Sequence, residues 1–574
     1  MGNATDSWTA PRMFPAIAIV AVHLVVAGWT IRFSSAHFDG MIGFMLMPVI
    51  VLICLVVWWL WTGNVPRRDR VLGLALFCAA LAGPTAFQGV FAVFFLIIAL
   101  PAFTTGTVLS LLLSTPLEWS KRRWVPVGLL VCMGALFTGL RVDEVSGAFV
   151  PVLSWRWNPA VTSSGMAAEF DLDPQSNRVA TLPAESGPGD WLEFRGPYRD
   201  SALAGVSFDT DWEATPPREL WRIDVGLGWS SFTVVGNYFY TQEQRGAHEL
   251  VVCYEAATGD QVWLNGVEAR FDDPTGSGPR GTPTYVEGKL YCQGAAGALQ
   301  CLDAATGKTL WTRDVGRDTG ARIPQWGFSG SPLVVGELVI EFTGADGGKS
   351  VIAYDRTAGA IAWNKGEGSH GYSSGHTAKI DGVPQLLMES NLGVQSFNLE
   401  TGEVLWEERW SLSSMAPRIL QPQVIGERSI VLGSGTGIGT RLFEARLDSG
   451  SWKVEEQWTS KNFRPYFNDF VHHEAYLYGY DGHRFVCVDA STGDRVWKGA
   501  RMGGQVLLLS DMAVLLVLTE RGKVVLLEAT PEKHRRIASI QALTGKTWNH
   551  PVVANGKLFV RNDREAAAYE LAIE

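Results

Sequence analysis

The chain has 574 residues and a formal net charge of −10. Its length exceeds that of one ordinary domain, and its acidic balance excludes a nucleic-acid partner, which requires a basic face. The seven cysteines include no Cys-x-x-Cys pair and no zinc or haem spacing, so we predict no metal site.

Five uncharged, apolar stretches dominate the amino-terminal part of the chain. They run over residues 14–31, 41–61, 71–87, 90–113 and 124–140. A membrane-spanning helix requires about 20 apolar residues, so the third and fifth stretches are short. Gly83, Pro84 and Gly89 favour a turn that divides residues 71–114 into two helices, with one long span as the alternative. We therefore predict an α-helical transmembrane anchor of about five helices over residues 13–140, placed in a lipid bilayer.

The basic residues of the anchor predict its orientation. They lie in two loops, between the second and third stretches and between the fourth and fifth: Arg67, Arg68, Arg70, Lys121, Arg122 and Arg123. The positive-inside rule makes both loops cytoplasmic. Residues 1–12 then form a cytoplasmic tail of a multi-pass protein of the bacterial inner membrane, and everything after residue 140 is periplasmic. His23 is the only ionisable side chain deep in a stretch, so the sequence offers no proton relay and argues against a transporter.

Residues 141–215 show no sustained periodicity and are predicted to form a periplasmic linker and docking extension. Two clusters rich in aromatic residues and arginine interrupt this polar segment, at residues 149–159 (FVPVLSWRWNP) and 191–200 (WLEFRGPYRD). Such clusters are typical of pieces that dock on a surface. Ordinary packing of an amino-terminal extension is the favoured interpretation of both.

A repeat that ends in Thr-Gly-x-x-x-Trp organises the remainder of the chain. Its tryptophans recur at intervals of 39 to 52 residues: Trp263, Trp311, Trp363, Trp406, the degenerate copy Trp458, and Trp497. Each copy follows short alternating or apolar runs separated by tight turns, which indicates four strands per repeat, as in a propeller blade. We expect the glycine to supply a positive φ in the last turn and the tryptophan to cover the gap between adjacent blades.

The repeats count to eight blades. A seventh, residues 506–540, keeps the strand pattern but has no tryptophan, and the eighth stops after its third strand. The segment ELWRIDV (219–225) can supply the missing outer strand, with Trp221 in the place of the repeat's tryptophan. Ring closure of this kind removes exposed sheet edges. The predicted fold is thus a helical anchor joined to an all-β, eight-bladed propeller over residues 216–574.

These units resemble the quinoprotein-type propeller repeat. The clusters SWRWNP and FRGPYRD, with the upstream spans, also resemble bacterial membrane-anchored proteins of the pyrroloquinoline-quinone (PQQ)-binding-like group. That resemblance covers quinone-dependent alcohol and glucose dehydrogenases as well as a non-enzymatic outer-membrane assembly lipoprotein. The chain lacks the adjacent cysteine pair, the Glu, Asn and Asp set for calcium, and the large inserted loops of the dehydrogenases. We therefore expect no cofactor and no catalytic residues, with PQQ and calcium as the alternative.

Residues just before the innermost strand of each blade are predicted to line one mouth of an open central funnel. They are Trp229, Arg280, Trp326, His370, Tyr372, Arg418, Asn468, Asp469, Asn549 and His550. Aromatic, arginine and amide groups that converge on one cavity could hold an anionic or sugar-like ligand. A hydrated channel with a polar lining is the alternative for each residue taken singly.

Three functions compete on this sequence. The favoured one is a non-catalytic platform that presents a periplasmic propeller to a protein or ligand partner. The second is a membrane-bound PQQ-dependent dehydrogenase that oxidises an alcohol or sugar and passes electrons to membrane quinone. A ligand sensor ranks last, because no cytoplasmic output domain is present in the sequence.

Overall fold

The computed structural model describes residues 12–29, 38–62, 64–145, 151–158, 178–369, 371–412, 418–434 and 438–572. The chain divides into two compact units, Met1–Thr162 and Ser163–Glu574. The predicted cytoplasmic tail, residues 1–12, falls almost entirely outside the described residues. The predicted division of the chain into tail, anchor, linker and propeller stays a prediction.

The first unit is helical. Its described helices are α1 (Phe14–Trp29), α2 (Phe38–Trp61), α3 (Arg67–Ala86), α4 (Ala92–Leu113), α5 (Trp119–Arg122) and α6 (Trp124–Thr138). Residues 71–114 form two helices, because the chain breaks between α3 and α4 around Gly89, whose φ is 55°. Phe95 and Phe103 pack edge-on against Phe137 at ring-centroid distances of 5.8 and 5.3 Å, in the core of this unit.

Two of these helices, α3 and α4, are long and apolar enough to cross a membrane. Among the described residues, Phe14–Val25 and Leu46–Trp61 are shorter apolar helical stretches. This finding does not confirm the predicted transmembrane anchor of about five helices. After α6 the unit ends in a hairpin of β1 (Leu140–Val145) and β2 (Pro151–Trp155).

The second unit is an eight-bladed β-propeller. Two strands precede the first blade, β3 (Ala202–Leu203) and β4 (Arg218–Asp224). Blades 1 to 4 consist of β5 (Thr233–Val235), β6 (Tyr238–Arg245), β7 (His248–Glu255), β8 (Gln261–Glu268); β9 (Thr284–Val286), β10 (Lys289–Gln293), β11 (Ala298–Asp303), β12 (Thr309–Asp314); β13 (Leu333–Val335), β14 (Leu338–Ala345), β15 (Lys349–Asp355), β16 (Ile361–Lys365); and β17 (His376–Ile380), β18 (Val383–Ser390), β19 (Gly393–Phe397), β20 (Val404–Arg409). The short helix α7 (Val315–Thr319) follows blade 2.

The remaining blades follow the same order from the inner to the outer strand. Blades 5 to 8 consist of β21 (Gln423–Ile425), β22 (Ser429–Ser434), β23 (Gly439–Asp448), β24 (Ser451–Ser460); β25 (Val471–His473), β26 (Tyr476–Asp481), β27 (Arg484–Asp489), β28 (Arg495–Arg501); β29 (Gly504–Leu509), β30 (Val514–Thr519), β31 (Lys523–Glu528), β32 (Arg536–Gln541); and β33 (Val552–Ala554), β34 (Lys557–Arg561), β35 (Glu565–Glu570). The outer strand of blade 8 is β4, which pairs with β35 so that Trp221 lies opposite Ala568. The predicted ring closure is confirmed.

Successive blades interlock through the repeat motif. The Trp263 indole of blade 1 donates a hydrogen bond of 3.1 Å to the Ala304 carbonyl of blade 2. Its ring lies over Gly307, where an added Cβ would come within 2.5 Å of it, and Gly307 has a φ of 71°. The glycine is therefore required twice, for the turn and for the neighbouring tryptophan. The same indole-to-carbonyl bond joins further blades: Trp221 to Ala256, Trp311 to Arg356, Trp363 to Leu399, Trp458 to Ala490, and Trp497 to Thr530. Trp406 instead donates to Gln385 of its own blade.

A β-bulge accompanies the motif in every blade. The residue before the tryptophan, or before its counterpart in blade 7, lies outside the strand ladder: Val262, Leu310, Ala362, Leu405, Gln457, Val496, Ile537 and Leu220. A bulge bends its strand and re-aims the side chain there. These eight positions are structurally equivalent around the outside of the propeller.

Candidate functional site

The axis of the propeller is occupied by the chain's own residues 191–203, here named the axial segment. Trp191 pairs with Val234 of blade 1 through backbone hydrogen bonds of 2.9 and 2.7 Å. The Leu192 carbonyl accepts a hydrogen bond from Tyr285 of blade 2, and β3 runs parallel to β29 of blade 7. Because the innermost strands surround the central channel, a segment that bonds to three of them lies in that channel.

Arg195 is the main polar contact of the axial segment. Its guanidinium makes a two-point contact with Asp469 of blade 6, with Nε 2.5 Å from Oδ2 and Nη2 2.8 Å from Oδ1. It also donates to Gln421 of blade 5 at 3.0 Å and to Ser201 at 2.9 Å. Only 2% of Arg195 is exposed. A two-point ion pair of this kind fixes orientation as well as distance.

Arg199 ties the axial segment to blades 2, 3 and 4. Its guanidinium donates to the carbonyls of Ser331 and Pro332 before blade 3, to the Gly375 carbonyl before blade 4, and to the Thr284 hydroxyl of blade 2. Glu193 of the same segment balances its charge at 2.5 Å.

The backbone of the axial segment is tightly coiled. Arg195, Arg199 and Ser201 have φ values of 66°, 54° and 56°, in the left-handed region that side chains disfavour. The contacts of both arginines hold this strained turn in place.

Two of the predicted site residues, Asp469 and His550, face the axial segment. The His550 Nε2 lies 3.3 Å from Asp469 Oδ2, and its ring packs edge-on against Phe194 at 4.9 Å. Burial alone would raise the pKa of Asp469, but Arg195 and His550 lower it below its ordinary value. Burial lowers the pKa of His550, and the Asp469 carboxylate offsets part of that effect. At neutral pH the cluster is therefore an Arg195–Asp469 ion pair beside a neutral imidazole.

Three other predicted residues belong to aromatic pairs near the mouth. Trp229 lies 4.7 Å from Trp548, and the Lys546 ammonium lies over both rings at 5.1 and 4.5 Å. Trp326 lies 5.1 Å from Tyr372. In the described part of the chain, the indole nitrogens of Trp229, Trp326 and Trp548 have no hydrogen-bond partner. A cation held over two tryptophans is a specific arrangement, and Trp548 and Lys546 were missed by the sequence analysis although they lie beside Asn549.

The remaining predicted residues bond to backbone carbonyls. Arg280 donates to Gly276 and Gly278 of its own loop, and burial lowers its pKa to about 10. Asn468 and Asn549 donate to the carbonyls of Gly504 and Ser230, and Arg418 donates to those of Trp410 and Gly433. His370 lies outside the described residues. Ligand binding by these ten residues stays a prediction.

Two buried carboxyl groups lie on the second strands of blades 3 and 4, Glu341 on β14 and Glu389 on β18. In the described part of the chain, both oxygens of Glu389 and Oε1 of Glu341 have no hydrogen-bond partner. Burial raises the pKa of Glu389 to about 8, and Arg418 offsets part of that shift. Burial also raises the pKa of Glu341 well above its ordinary value, despite Arg199. Glu389 is therefore mostly protonated at pH 7.

The expectation of an open funnel is wrong for the part of the axis that the axial segment fills. The sequence analysis treated residues 191–200 as an ordinary extension, because nothing in the repeat pattern assigns them to the channel. The axis at Asp469 is taken by Arg195 and Phe194, and no group of three His, Cys, Asp or Glu among the described residues could hold a metal ion.

Comparison with known proteins gives one family. The family model described as outer membrane protein assembly factor BamB matches residues 213–326 and 275–499. The chain is 22% identical to BamB of Shewanella oneidensis over 336 residues, which is 54% of this chain and 76% of that protein. It is 26% identical to the quinohemoprotein alcohol dehydrogenase ADH-IIG of Pseudomonas putida over 207 residues, 34% of this chain and 28% of that protein.

Two solved structures are similar in fold. The crystal structure of BamB from Moraxella catarrhalis has a TM-score of 0.44 at 15% identity and covers 62% of this chain and 100% of its own. The quinohemoprotein alcohol dehydrogenase from Comamonas testosteroni has a TM-score of 0.49 at 14% identity and covers 71% of this chain and 84% of its own.

Proposed function

The chain belongs to the family of PQQ-like β-propeller repeat proteins that the BamB model describes, and from that premise we propose that it is a non-catalytic binding platform. In this proposal the helical unit is an anchor of about five helices in a bacterial inner membrane. The propeller lies in the periplasm and binds a protein partner through its outer surface.

The filled axis is the observation that carries the proposal. The axial segment contacts all eight blades: Val234, Tyr285, Ser331, Gly375, Gln421, Asp469, Leu508 and His550. Dehydrogenase chemistry at this place requires a cofactor chamber, whereas a rigid ring with a filled axis leaves its outer and loop surfaces for binding. A shared fold does not carry a shared chemistry.

A cofactor titration tests the absence of catalysis. Full-length protein in detergent is incubated with PQQ and Ca²⁺, passed through a desalting column, and assayed for dye reduction with an alcohol and with glucose. We expect neither quinone absorbance with the protein nor dye reduction. Retained quinone together with substrate-dependent dye reduction would overturn the proposal in favour of a quinone-dependent dehydrogenase, the function of the Pseudomonas putida relative.

Reporter fusions test the membrane topology. Alkaline phosphatase is active only outside the cytoplasm, so a fusion after residue 118 should be inactive and a fusion after residue 158 active. The positive-inside rule predicts this orientation, because it places the basic loops at Arg67–Arg70 and Lys121–Arg123 in the cytoplasm. Activity of the first fusion would contradict the orientation.

A further inference from the structure

A segment of the chain covers one groove on the outside of the propeller. Residues 178–182, here named the covering segment, lie between the outer strand of blade 1 and the last turn of blade 2. The Arg178 and Ala180 amides donate to the carbonyls of Val262 and Ala305, each at 2.8 Å. The Arg178 guanidinium reaches Glu255 at 3.3 Å, and Ala180 is 3% exposed in the core formed by Val262 and Trp263. We call this the first groove.

The second groove, between blades 2 and 3, has the same construction. The bulged residue Leu310 corresponds to Val262, Trp311 to Trp263, and Asp303 to Glu255. Trp263 donates to the Ala304 carbonyl and Trp311 to the Arg356 carbonyl, so Ala304 and Arg356 are equivalent. The residues that follow them, Ala305 and Thr357, are therefore equivalent as well. The Leu310 and Thr357 carbonyls thus correspond to the two acceptors of the first groove, those of Val262 and Ala305.

The two grooves differ in what covers them. Val262 and Trp263 are 4% and 0% exposed beneath the covering segment, whereas Leu310 is 46% exposed and Trp311 is half-buried. An apolar side chain beside an acid and two aligned carbonyls is a surface that an extended peptide can cover.

The chemistry of the second groove differs from that of the first. Arg356, which pairs with Glu287 and Glu337, stands where the first groove has Ala304, and the hydrogen-bond partner of Thr181 is also replaced. The Thr181 amide donates to the Tyr238 hydroxyl in the first groove. Lys289 stands at the equivalent place in blade 2. An ammonium donates and does not accept hydrogen bonds, so an occupant of the second groove needs a carboxylate at the position of Thr181.

The proposal rests on the platform function and names its partner class. We propose that the second groove binds an extended segment of a partner protein with the order basic, any, small apolar, acidic. The basic residue pairs with Asp303, the small residue packs on Leu310 and Trp311, and the acidic residue pairs with Lys289.

The groove between blades 6 and 7 provides a matched control. Its bulged residue Val496 is 44% exposed, as Leu310 is. Blade 7 has no Thr-Gly turn there, and His534 packs on Trp497 at 5.7 Å. This third groove keeps the indole-to-carbonyl bond, from Trp497 to Thr530, but the His534 ring takes the surface beside Trp497 that the second groove leaves open.

Fluorescence anisotropy with a labelled peptide tests the proposal. The peptide Arg-Val-Ala-Glu-Leu-Pro carries the covering segment's sequence with glutamate in the place of Thr181. With the full chain in detergent, we expect saturable binding that Leu310→Asp weakens at least tenfold and Val496→Asp leaves unchanged. Lys289→Glu should abolish the preference for this peptide over Arg-Val-Ala-Thr-Leu-Pro.

Three results would overturn the proposal. They are no saturable binding, equal loss in the Leu310 and Val496 variants, and a dimer of the chain that Leu310→Asp dissociates, which would assign the face to a second copy. None of these results bears on the cofactor titration or the reporter fusions, so failure here is distinguishable from failure of the platform function.

Discussion

At the outer edge of the propeller six of the eight blades are joined to the next by a hydrogen bond from a tryptophan that recurs in the sequence, whereas at the axis the blades are joined by two arginines that belong to no repeat. Each of these contacts between adjacent blades at the outer edge, here called an outer joint, buries the aromatic surface of a tryptophan and contains one indole-to-carbonyl hydrogen bond. The axial joint buries charge, through Arg195 and Asp469. Repetition therefore builds the ring, and a single unrepeated segment fills it.

The largest expected effect is at the axis. Arg195→Leu leaves the Asp469 carboxylate buried without its cation, which should lower the free energy of unfolding by about 3–5 kcal/mol. Thermal unfolding of the full chain in detergent measures this loss. Tyr198→Ala, in the same segment but 77% exposed, should change it by less than about 0.5 kcal/mol. A double variant, Arg195→Leu with Asp469→Leu, should recover part of the loss, because no unpaired charge remains.

Trp263→Ala compares one outer joint with its neighbour. Trp263 is fully buried beneath the covering segment, so its truncation should cost about 3–5 kcal/mol. Trp311→Ala should cost less than that, because Trp311 is only partly buried. Equal losses of Tm for the two variants would show that the covering segment adds nothing to the first groove.

Gly307→Ala tests the interlock itself. The added Cβ meets the Trp263 ring at a backbone φ of 71°, so we expect a loss of about 1–3 kcal/mol. Gly288 has a similar φ of 79° with no atom within 4 Å of an added Cβ. Gly288→Ala should therefore cost about 1 kcal/mol from backbone strain alone, and the difference between the two losses measures the ring contact.

The last prediction concerns the dependence of stability on pH. The folded pKa of Glu389 is raised to about 8, above an unfolded value of about 4.3. Its contribution is therefore fully present below pH 4.3 and is lost as pH rises toward 8, by roughly 1 kcal/mol per pH unit. Glu389→Gln should flatten the Tm profile between pH 5 and 8, and Glu400→Gln, at an exposed turn, should leave the slope unchanged.

The outer edge could be predicted from the sequence and the axis could not. Trp263 and Gly307 recur with the repeat, and the strand at Trp221 was placed in blade 8 because the count left one strand missing. The partners Arg195 and Asp469 are 274 residues apart, and neither recurs. Burial decides the role of Arg418, which the sequence placed at an open mouth and the structure places under Trp410 with 1% exposure. A periodic pattern shows which residues repeat, but it does not show where in the folded propeller a segment outside the repeats lies.

Closure of blade 8 by β4 has a consequence for the order of assembly. The chain emerges from the ribosome with residues 218–224 well before their partners, residues 565–570. The ring cannot be complete before residues 565–570 have been made, and contacts between such distant parts of a chain form slowly. Until then the sheet edge of β4 stays open to other chains. A stop codon before residue 565 should thus yield a protein that aggregates or is degraded, even though seven complete blades have been made.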